Sequence, residues 1–139
     1  MSEEARNIAI LKEAYRLWHE TKGASVDSWM SICADELEFG SIGQSVKATP
    51  YMTVYDSKEK LGEYFSGLAR DWEMIEFRIE HYVAQGDRVV CLGRCSWKAR
   101  KTGKTIWTPI ANSFRFANGK LIEYYEYFDT AQMRDAMQN

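Results

Sequence analysis

The chemistry of this chain is expected in its last aromatic-rich segment, where Glu126 lies among tyrosines. The segment opens with the turn signal Asn118-Gly119 and continues as strand-like sequence through Tyr124 and Glu126. A carboxylate on the apolar face of a sheet loses hydration, which raises its pKa and suits it to proton transfer. The sequence therefore predicts acid/base chemistry at Glu126, with Tyr124 or Asn112 donating a hydrogen bond to a substrate oxygen.

His81 is the second candidate for proton transfer, because the pKa of a histidine is easily tuned near neutrality. Strand alternation places it opposite Cys91, so a thiol nucleophile with its base is an alternative. Buried acids and wall histidines are also common structural features, so both Glu126 and His81 have non-catalytic interpretations. No metal is expected, since His19 and His81 are far apart and no ligand spacing matches. No cofactor is expected, since no phosphate-cradling glycine motif is present.

Composition limits the class of protein. The 139 residues, 45% hydrophobic and 27% charged, are enough for one domain spanning 1–139. The net charge of -2, with its only basic cluster on a predicted hairpin loop at 98–104, argues against a nucleic-acid partner. No long apolar window and no signal peptide are present, so we expect no membrane partner and a cytoplasmic location. The three cysteines lack CxxC spacing and are expected to be reduced.

Apolar periodicity predicts three helices in the first half of the chain and a short one at its end. The first runs from Ser2 to Thr21, the second follows a cap at Ser25 or Asp27, and the third is capped by Ser57. A brief strand is expected over 36–39, and the last helix, 130–137, is capped by Asp129. The irregular stretch 40–56 is expected to be a long loop, either a lid or a plain surface loop.

Four long strands follow, in which apolar and polar residues alternate. One face of the sheet is therefore predicted to point inward. The inward residues are Ile75, Phe77, Ile79, His81 and Val83 on the first strand, Val89, Cys91, Gly93, Cys95 and Trp97 on the second, Ile106, Thr108, Ile110, Asn112, Phe114 and Phe116 on the third, and Ile122, Tyr124, Glu126 and Phe128 on the fourth.

The turns between these strands predict the register. A three-residue turn at 85–87 and a two-residue loop at Thr102-Gly103 are expected, followed by a three-residue turn at 117–119. The resulting pairs are Ala84 with Arg88, His81 with Cys91, Ile79 with Gly93, Phe77 with Cys95, Asn112 with Gly93, Ile110 with Cys95, Thr108 with Trp97, Asn112 with Tyr124, and Ile110 with Glu126. A shift of the last turn would instead move Glu126 opposite Asn112 without changing its face.

The three helices must cover the inner sheet face, because their apolar stripes have no other partner. Small residues on the central strand then leave space for a ligand pocket. The residues expected to bind a small molecule there are Tyr15, Trp18, His19, Phe77, Gly93, Cys95, Trp97, Thr108, Ile110, Asn112, Tyr124 and Phe128. Exposed aromatics on the opposite face, Trp107, Tyr125 and Tyr127, favour a homodimer.

The order of elements and two turn motifs resemble the nuclear transport factor 2-like superfamily. The motifs are Gln-Gly-Asp-Arg-Val at 85–89 and Asn-Gly-Lys-Leu-Ile-Glu at 118–123, and the resemblance covers nearly the whole chain. The superfamily includes SnoaL-type polyketide cyclases, ketosteroid isomerase, limonene epoxide hydrolase and scytalone dehydratase. The resemblance implies an α+β cone-shaped barrel, in which a curved, mostly antiparallel sheet wraps around three N-terminal helices and a short helix ends the chain. It also implies a deep pocket and dimerisation through the outer sheet face.

The segment Tyr-Tyr-Glu-Tyr-Phe-Asp at 124–129 resembles the Trp-Arg-Asp-Tyr-Phe-Asp segment of limonene epoxide hydrolase. The catalytic aspartate of that segment, and the proposed acid/base aspartate of SnoaL-type cyclases, correspond to Glu126. The hydrolase also needs an arginine and an aspartate where this chain has Gly93 and Cys95, so its mechanism is not expected. Tyr15 resembles the helix-one tyrosine of ketosteroid isomerase, and His81 with Tyr15 and Tyr124 resembles part of the scytalone dehydratase site.

Three functions remain open from the sequence. The first is an isomerase, dehydratase or cyclase that acts on a small apolar, cyclic or carbonyl-bearing molecule. The second is a pocket that stores or senses such a molecule without turnover. The third is a dimerisation or protein-binding module.

Overall fold

The computed structural model describes residues 1–139, which form four α-helices and six strands. In chain order these are α1 Glu3–Glu20, α2 Val26–Ile32, β1 Cys33–Ser41, β2 Tyr55–Ser57, α3 Gly62–Asp71, β3 Trp72–Gln85, β4 Arg88–Ala99, β5 Thr105–Ala117, β6 Lys120–Tyr127 and α4 Thr130–Ala136. A 3-10 turn, Ile42–Ser45, follows β1.

The six strands form one mixed sheet in the order β2-β1-β6-β5-β4-β3. Every pairing is antiparallel except that of β1 with β6, which is parallel. The sheet is curved but does not close, since β2 and β3 are its two edges. The predicted α+β class, with a curved, mostly antiparallel sheet, is confirmed.

Two predicted helix caps are present. The Ser2 hydroxyl accepts a hydrogen bond from the Ala5 N–H (3.0 Å) at the start of α1. The Asp129 carboxylate accepts from the N–H groups of Ala131 (3.1 Å) and Gln132 (3.3 Å) and so begins α4. The predicted cap at Ser57 is wrong: Ser57 ends β2, and α3 begins only at Gly62.

The predicted strand at 36–39 is longer than expected, because β1 has both a parallel and an antiparallel partner. The stretch 40–56 is not one open loop. It contains the 3-10 turn and the start of β2, and its residues Tyr51, Met52 and Tyr55 are buried. This stretch therefore packs against the helices and the sheet.

A single cluster of buried residues lies between the helices and the inner face of the sheet. Tyr15 and Trp18 of α1 are buried there, together with Phe65 and Leu68 of α3. The helices thus cover the inner sheet face, as the apolar stripes predict. No helix combines the length and the apolarity that crossing a membrane requires.

Two β-bulges in β3 overturn the predicted facing at both ends of that strand. The pairing skips Ile75 and Glu80, so each becomes an extra residue that has no partner on β4. A bulge reverses the alternation beyond it. Ile75 is consequently 45% exposed rather than inward, and beyond Glu80 it is Tyr82, not His81, that pairs with Cys91. Phe77 opposite Cys95 and Ile79 opposite Gly93, between the bulges, pair as predicted.

The three predicted turns also need correction. The turns at Gly86-Asp87 and Asn118-Gly119 each hold two residues, because Gln85 pairs with Arg88 and Ala117 with Lys120. Lys98 pairs with Thr105, so the loop between β4 and β5 is longer than predicted. The observed pairs are Gln85 with Arg88, Ala84 with Val89, Cys91 with Asn112, Gly93 with Ile110, Cys95 with Thr108, Trp97 with Ile106, Phe114 with Tyr124, and Asn112 with Glu126.

The register shift between β4 and β5 is two residues, an even number, so the predicted faces of these strands survive. On β6 the pairing skips Ile122, and Leu121 is buried in its place. From Tyr124 onward the predicted inward facing of β6 is correct.

Candidate functional site

A cavity lies between the helices and the inner sheet face. Its volume is about 100 Å³, several times the space that one water molecule needs. Hydrophobic side chains make up 21 of its 24 lining residues, and half of the wall is aromatic. Glu126 is the only acid in the wall, and no lysine, arginine or histidine lines it. The cavity is therefore an apolar space with one ionisable acid.

Glu126 lies in the middle of the sheet, on β6, with β1 on one side and β5 on the other. Ser41 of β1 and Asn112 of β5 are its paired neighbours. The carboxylate is 6% exposed. Glu126 reaches the cavity because its side chain, like those of its two paired neighbours, is buried on the inner face of the sheet.

Three hydroxyl groups donate hydrogen bonds to the Glu126 carboxylate. The Tyr64 hydroxyl, on α3, donates to Oε1 over 2.6 Å, and the Tyr124 hydroxyl donates to the same oxygen over 3.2 Å. The Ser41 hydroxyl donates to Oε2 over 2.8 Å and accepts from the Gly43 N–H over 3.0 Å. Four different elements, β1, the 3-10 turn, α3 and β6, therefore fix the orientation of one carboxylate.

The balance of burial and hydrogen bonding sets the protonation of Glu126. Burial raises the pKa of Glu126 above its ordinary value, and the hydroxyl donors Tyr64, Ser41 and Tyr124 offset only part of that rise. Burial likewise raises the pKa of Tyr64 and Tyr124 well above their usual value. The tyrosines therefore stay protonated as donors, while Glu126, with its raised pKa, is the group of this cluster suited to exchange a proton.

A second polar pair, Tyr15 and Asn112, lies in the same wall. The Asn112 side-chain N–H donates to the Tyr15 hydroxyl over 2.9 Å. Burial raises the pKa of Tyr15 well above its ordinary value, so the hydroxyl keeps its proton. No acceptor in the chain takes that proton, which leaves Tyr15 able to donate to an oxygen in the cavity. Asn112 pairs with Glu126 on the neighbouring strand, and the Tyr15 donor and the Glu126 acid line the same cavity.

Most of the residues predicted to bind a ligand line the cavity. From α1 these are Tyr15 and Trp18; from the sheet and the segment after it they are Phe77, Cys95, Trp97, Thr108, Ile110, Asn112, Tyr124 and Phe128. The predicted inward facing of Glu126 is also confirmed.

Two of these residues have little chemistry to offer. The Thr108 hydroxyl donates to the Pro109 carbonyl over 2.7 Å and accepts from the Asp129 N–H over 2.8 Å, so it holds the start of α4. Burial raises the pKa of Cys95 to about 12, so its thiol is not a nucleophile at neutral pH.

The predicted inward position of His81 is wrong, because the bulge at Glu80 turns its side chain away from the cavity. His81 is exposed and pairs with Leu92 on the outer side of the sheet. The proposed pair of His81 with Cys91 does not form, since Tyr82 occupies that position. Burial also raises the pKa of Cys91 far above its usual range.

His19 and Gly93, also predicted to bind the ligand, are not part of the cavity wall. His19 is half-buried, and its Nδ1 accepts from the Phe77 N–H over 3.2 Å at the edge of the sheet. At Gly93 a Cβ atom would lie 1.9 Å from the Arg78 carbonyl oxygen. Its small size therefore serves the close approach of β3 at the bulge, not the space of the cavity.

Sequence reasoning missed two of the three donors to Glu126. The apolar spacing of the third helix predicts that Tyr64 is a core residue. A buried tyrosine hydroxyl needs a hydrogen-bond partner, so the sequence did contain a signal for this donor. Ser41 had no such signal, because it meets Glu126 only through the parallel pairing of β1 with β6. No three His, Cys, Asp or Glu side chains converge as metal ligands.

Comparison with known proteins places the chain in a family. Residues 12–124 match the SnoaL-like domain, whereas no curated protein sequence matches. An NTF2-like protein from Burkholderia thailandensis is 23% identical, with 100% of both chains covered and a TM-score of 0.80. TerC, co-crystallised with polyporic acid, is 16% identical, with 96% of this chain and 99% of that chain covered and a TM-score of 0.79. A candidate SnoaL-like polyketide cyclase from Mesorhizobium loti is 16% identical, with 91% and 99% covered and a TM-score of 0.73.

These structural likenesses establish the fold, and the match over 12–124 establishes the family. The chain belongs to the SnoaL-like domain family and has the NTF2-like fold.

Proposed function

We propose that the protein binds a small apolar, carbonyl-bearing molecule in the cavity and that Glu126 moves a proton on it. The observation that carries this proposal is a buried acid, held by three hydroxyl donors, in the same cavity wall as the Tyr15 hydroxyl of α1, which accepts from Asn112 on the next strand and keeps its own proton free to donate. An acid with a raised pKa supplies the base or acid, and Tyr15 supplies the hydrogen bond to the carbonyl oxygen.

The reaction that fits this pair is an isomerisation through an enol. The Glu126 carboxylate takes a proton from the carbon beside the carbonyl group while the Tyr15 hydroxyl donates to the carbonyl oxygen. Glu126 then returns the proton to another carbon of the conjugated system. The proton that leaves the substrate comes back to it, so the chemistry needs no other reactant. Dehydration or cyclisation would begin with the same first step.

Neighbours of the same fold support a small organic ligand. TerC was co-crystallised with polyporic acid, and a protein of ketosteroid isomerase-like fold from Catenulispora acidiphila was solved in complex with trimethylamine. A candidate isomerase from Rhodopseudomonas palustris shares the fold with a TM-score of 0.74. The aromatic wall of the cavity in this chain suits an apolar ring.

Deuterium uptake from heavy water tests this function without knowledge of the natural substrate. Cyclic and unsaturated ketones are incubated with the protein, and loss of the C–H signal beside the carbonyl is followed by NMR. We expect Glu126→Gln to lower the exchange rate by about 100-fold or more, and Tyr15→Phe to lower it by a smaller factor. Exchange that is equal in the wild type and in Glu126→Gln, or absent for every ketone shown to bind, would refute proton transfer by Glu126.

Binding without turnover is the second candidate function. The three hydroxyl donors leave the Glu126 carboxylate well satisfied within the chain, as a structural acid would be. Ketones that quench tryptophan fluorescence but exchange no deuterium would favour this function over the first.

A homodimer through the outer sheet face is proposed as the assembly. Trp107 and Tyr127 are 53% and 46% exposed on that face, and the rings of Tyr125 and Tyr127 lie 4.8 Å apart. Large aromatic side chains on a sheet face are typical of an interface, since they supply much of the binding energy where two proteins meet.

We assign the protein to the cytoplasm, where thiols stay reduced. Its support is that Cys33, Cys91 and Cys95 are all buried and free. Fractionation of cells that express a tagged chain would test this location, and recovery from an oxidising compartment would overturn it.

A further inference from the structure

A second depression lies outside the cavity, in a groove between α1 and the edge strand β3. Tyr15 and Phe77 line both spaces, so their two rings form the partition between the groove and the cavity. The rings are stacked, with centroids 5.5 Å apart and an interplanar angle of 12°. Phe77 is half-buried and lies on an edge strand. The groove therefore adjoins the cavity, and Tyr15 and Phe77 are the two side chains common to both walls.

The groove has the opposite charge character to the cavity. Its wall carries Lys12, Arg16, Arg78 and Arg94, against the single acid Glu80. The cavity wall, in contrast, holds one acid and no cation. A negative group would thus be excluded from the cavity and attracted to the groove.

Two of the four groove cations are paired with acids outside its wall, Arg16 with Glu13 and Glu20 at 2.7 Å each and Arg78 with Glu76. The other two, Lys12 and Arg94, are available to a ligand. Lys12 has no carboxylate partner, and its ammonium lies over the Tyr82 ring, 5.6 Å from the centroid. Arg94 meets Glu76 and Glu80 only at 3.7 Å, with 40% of its side chain exposed. Exposed ion pairs of this kind contribute about 0 to 1 kcal/mol, so an incoming anion displaces them at little cost.

His19 adds a neutral hydrogen-bond donor to the groove. Its Nδ1 accepts from the Phe77 N–H, so in the neutral ring the proton is on Nε2. Burial and the nearby cations Lys22 and Arg78 lower the pKa of His19, which favours this neutral form. The same contact fixes the backbone of Phe77 at the partition.

We propose that the natural ligand is an amphipathic anion, with its ring and carbonyl group in the cavity and its negative group in the groove. This inference rests on the proposed function, because the carbonyl group is taken to lie at Glu126. Three strand spacings separate β6, which carries Glu126, from β3, or about 14 Å along the sheet. Since the side chains at both ends shorten this gap, a ligand on the order of 10 Å long spans it.

Two matched probes test the proposal: 6-acetyl-2-naphthoate and 2-acetylnaphthalene, which is the same ketone without the carboxylate. Binding of both is measured by quenching of tryptophan fluorescence, because four tryptophans line the cavity. We expect the carboxylate probe to bind more tightly at low salt. The preference should shrink as salt is raised, since exposed charges are screened within about 10 Å at 0.1 M.

Lys12→Glu should weaken binding of the carboxylate probe by about threefold to tenfold and leave the neutral probe unchanged. Lys101→Glu is the matched control, because Lys101 is exposed in the loop between β4 and β5 and changes the net charge equally. Arg78→Gln is a second variant, and we expect it to weaken binding of the carboxylate probe as Lys12→Glu does.

The outcomes separate this inference from the function it rests on. Equal affinity of the wild type for the two probes, or equal losses in Lys12→Glu and Lys101→Glu, would overturn the anionic ligand and leave the cavity site intact. Failure of the neutral ketone to bind would instead refute the cavity site, and the anionic ligand with it.

Discussion

Glu126 is a buried acid whose environment contains hydroxyl dipoles and no cation. Its three donors approach both carboxylate oxygens, two of them at Oε1 and one at Oε2. A guanidinium or ammonium partner would lower the pKa of Glu126 strongly, whereas hydroxyl donors leave the effect of burial dominant. This balance suits a residue that exchanges a proton.

Glu126→Gln should change how stability depends on pH. In the folded protein the pKa of Glu126 is raised. In the unfolded chain the pKa of a glutamate has its ordinary value of about 4.3. The folded state therefore keeps a proton that the unfolded state has lost. The free energy of unfolding contributed by Glu126 falls as pH rises from the unfolded pKa to the folded one, and is constant above it.

The glutamine variant lacks this component, and urea unfolding over a pH series measures it. We expect the difference in unfolding free energy, wild type minus Glu126→Gln, to fall as pH rises. A difference that stays constant between about pH 4 and pH 8 would show that the pKa of Glu126 is not raised in the fold.

Tyr64→Phe should destabilise the protein most where Glu126 is ionised. The variant loses a hydrogen bond of 2.6 Å to a charged acceptor, which costs about 1.5 to 3 kcal/mol. It should also raise the pKa of Glu126 further, because one stabilising donor of the charged form is gone. Chemical denaturation below and above neutral pH measures both effects.

Tyr55→Phe is the matched control, since the Tyr55 hydroxyl donates over 2.7 Å to the uncharged carbonyl of Tyr51. Its cost is expected to be about 1 kcal/mol and independent of pH. If both phenylalanine variants lose the same stability at every pH, Tyr64 does not support a charged Glu126.

Among the elements, β5 and β3 show what alternation does and does not predict. The inward residues of β5, from Ile106 to Phe116, were all assigned correctly, because no extra residue interrupts that strand on its β4 side. In β3 the ends were wrong, because Ile75 and Glu80 are extra residues and alternation has no means of marking them. Gly93 lies opposite the second bulge, although in the sequence alone a small residue on the central strand indicates pocket space instead.

Gly93→Ala should destabilise the sheet at this bulge. The new Cβ would lie 1.9 Å from the Arg78 carbonyl oxygen and 2.8 Å from the Ile79 Cα, both backbone atoms. Neither atom can move without disturbing the pairing of β3 with β4, so the cost is expected to be about 1 to 3 kcal/mol or more. Thermal and urea unfolding measure it.

Gly62→Ala provides the opposite result as a control. Gly62 begins α3, and no atom lies within 4 Å of its Cβ position. Alanine is therefore expected to stabilise the helix by about 0.5 to 1 kcal/mol. A Gly93→Ala variant as stable as the wild type would show that the bulge does not need a glycine.

At the scale of the whole molecule, the inner face of the sheet is covered by the helices and the outer face is not. Trp107 on the outer face is as exposed as Val54 in a loop, at 53% each, although tryptophan is the larger side chain. The sequence predicted which face is which, since the parity of β5 separates Trp107 from Ile106 and Thr108. It had no means of predicting that β1 flanks Glu126 on the other side, because that depends on the long-range place of β1 in the sheet.

Trp107→Glu should weaken a dimer formed through this face. A charged side chain in the centre of an interface costs desolvation, and tryptophan is often the residue that contributes most there. We expect the dissociation constant of the dimer to rise by about tenfold or more, as measured by sedimentation. Val54→Glu, with equal exposure away from the sheet face, should leave it unchanged. A wild type that sediments as a monomer at all concentrations would refute the dimer.

The parallel pairing of β1 with β6 also affects when the hydrogen bonds of Glu126 form as the chain folds. The contacts of Glu126 with Ser41 and Tyr64 join residues 85 and 62 positions apart. Contacts between distant parts of a chain form slowly, since a long loop must close before they are made. A chain in which only the hairpins of β3 to β6 have formed would carry Glu126 on an uncovered sheet, hydrated and with an ordinary pKa. The raised pKa of Glu126 therefore belongs only to a chain in which β1 and α3 have joined the sheet.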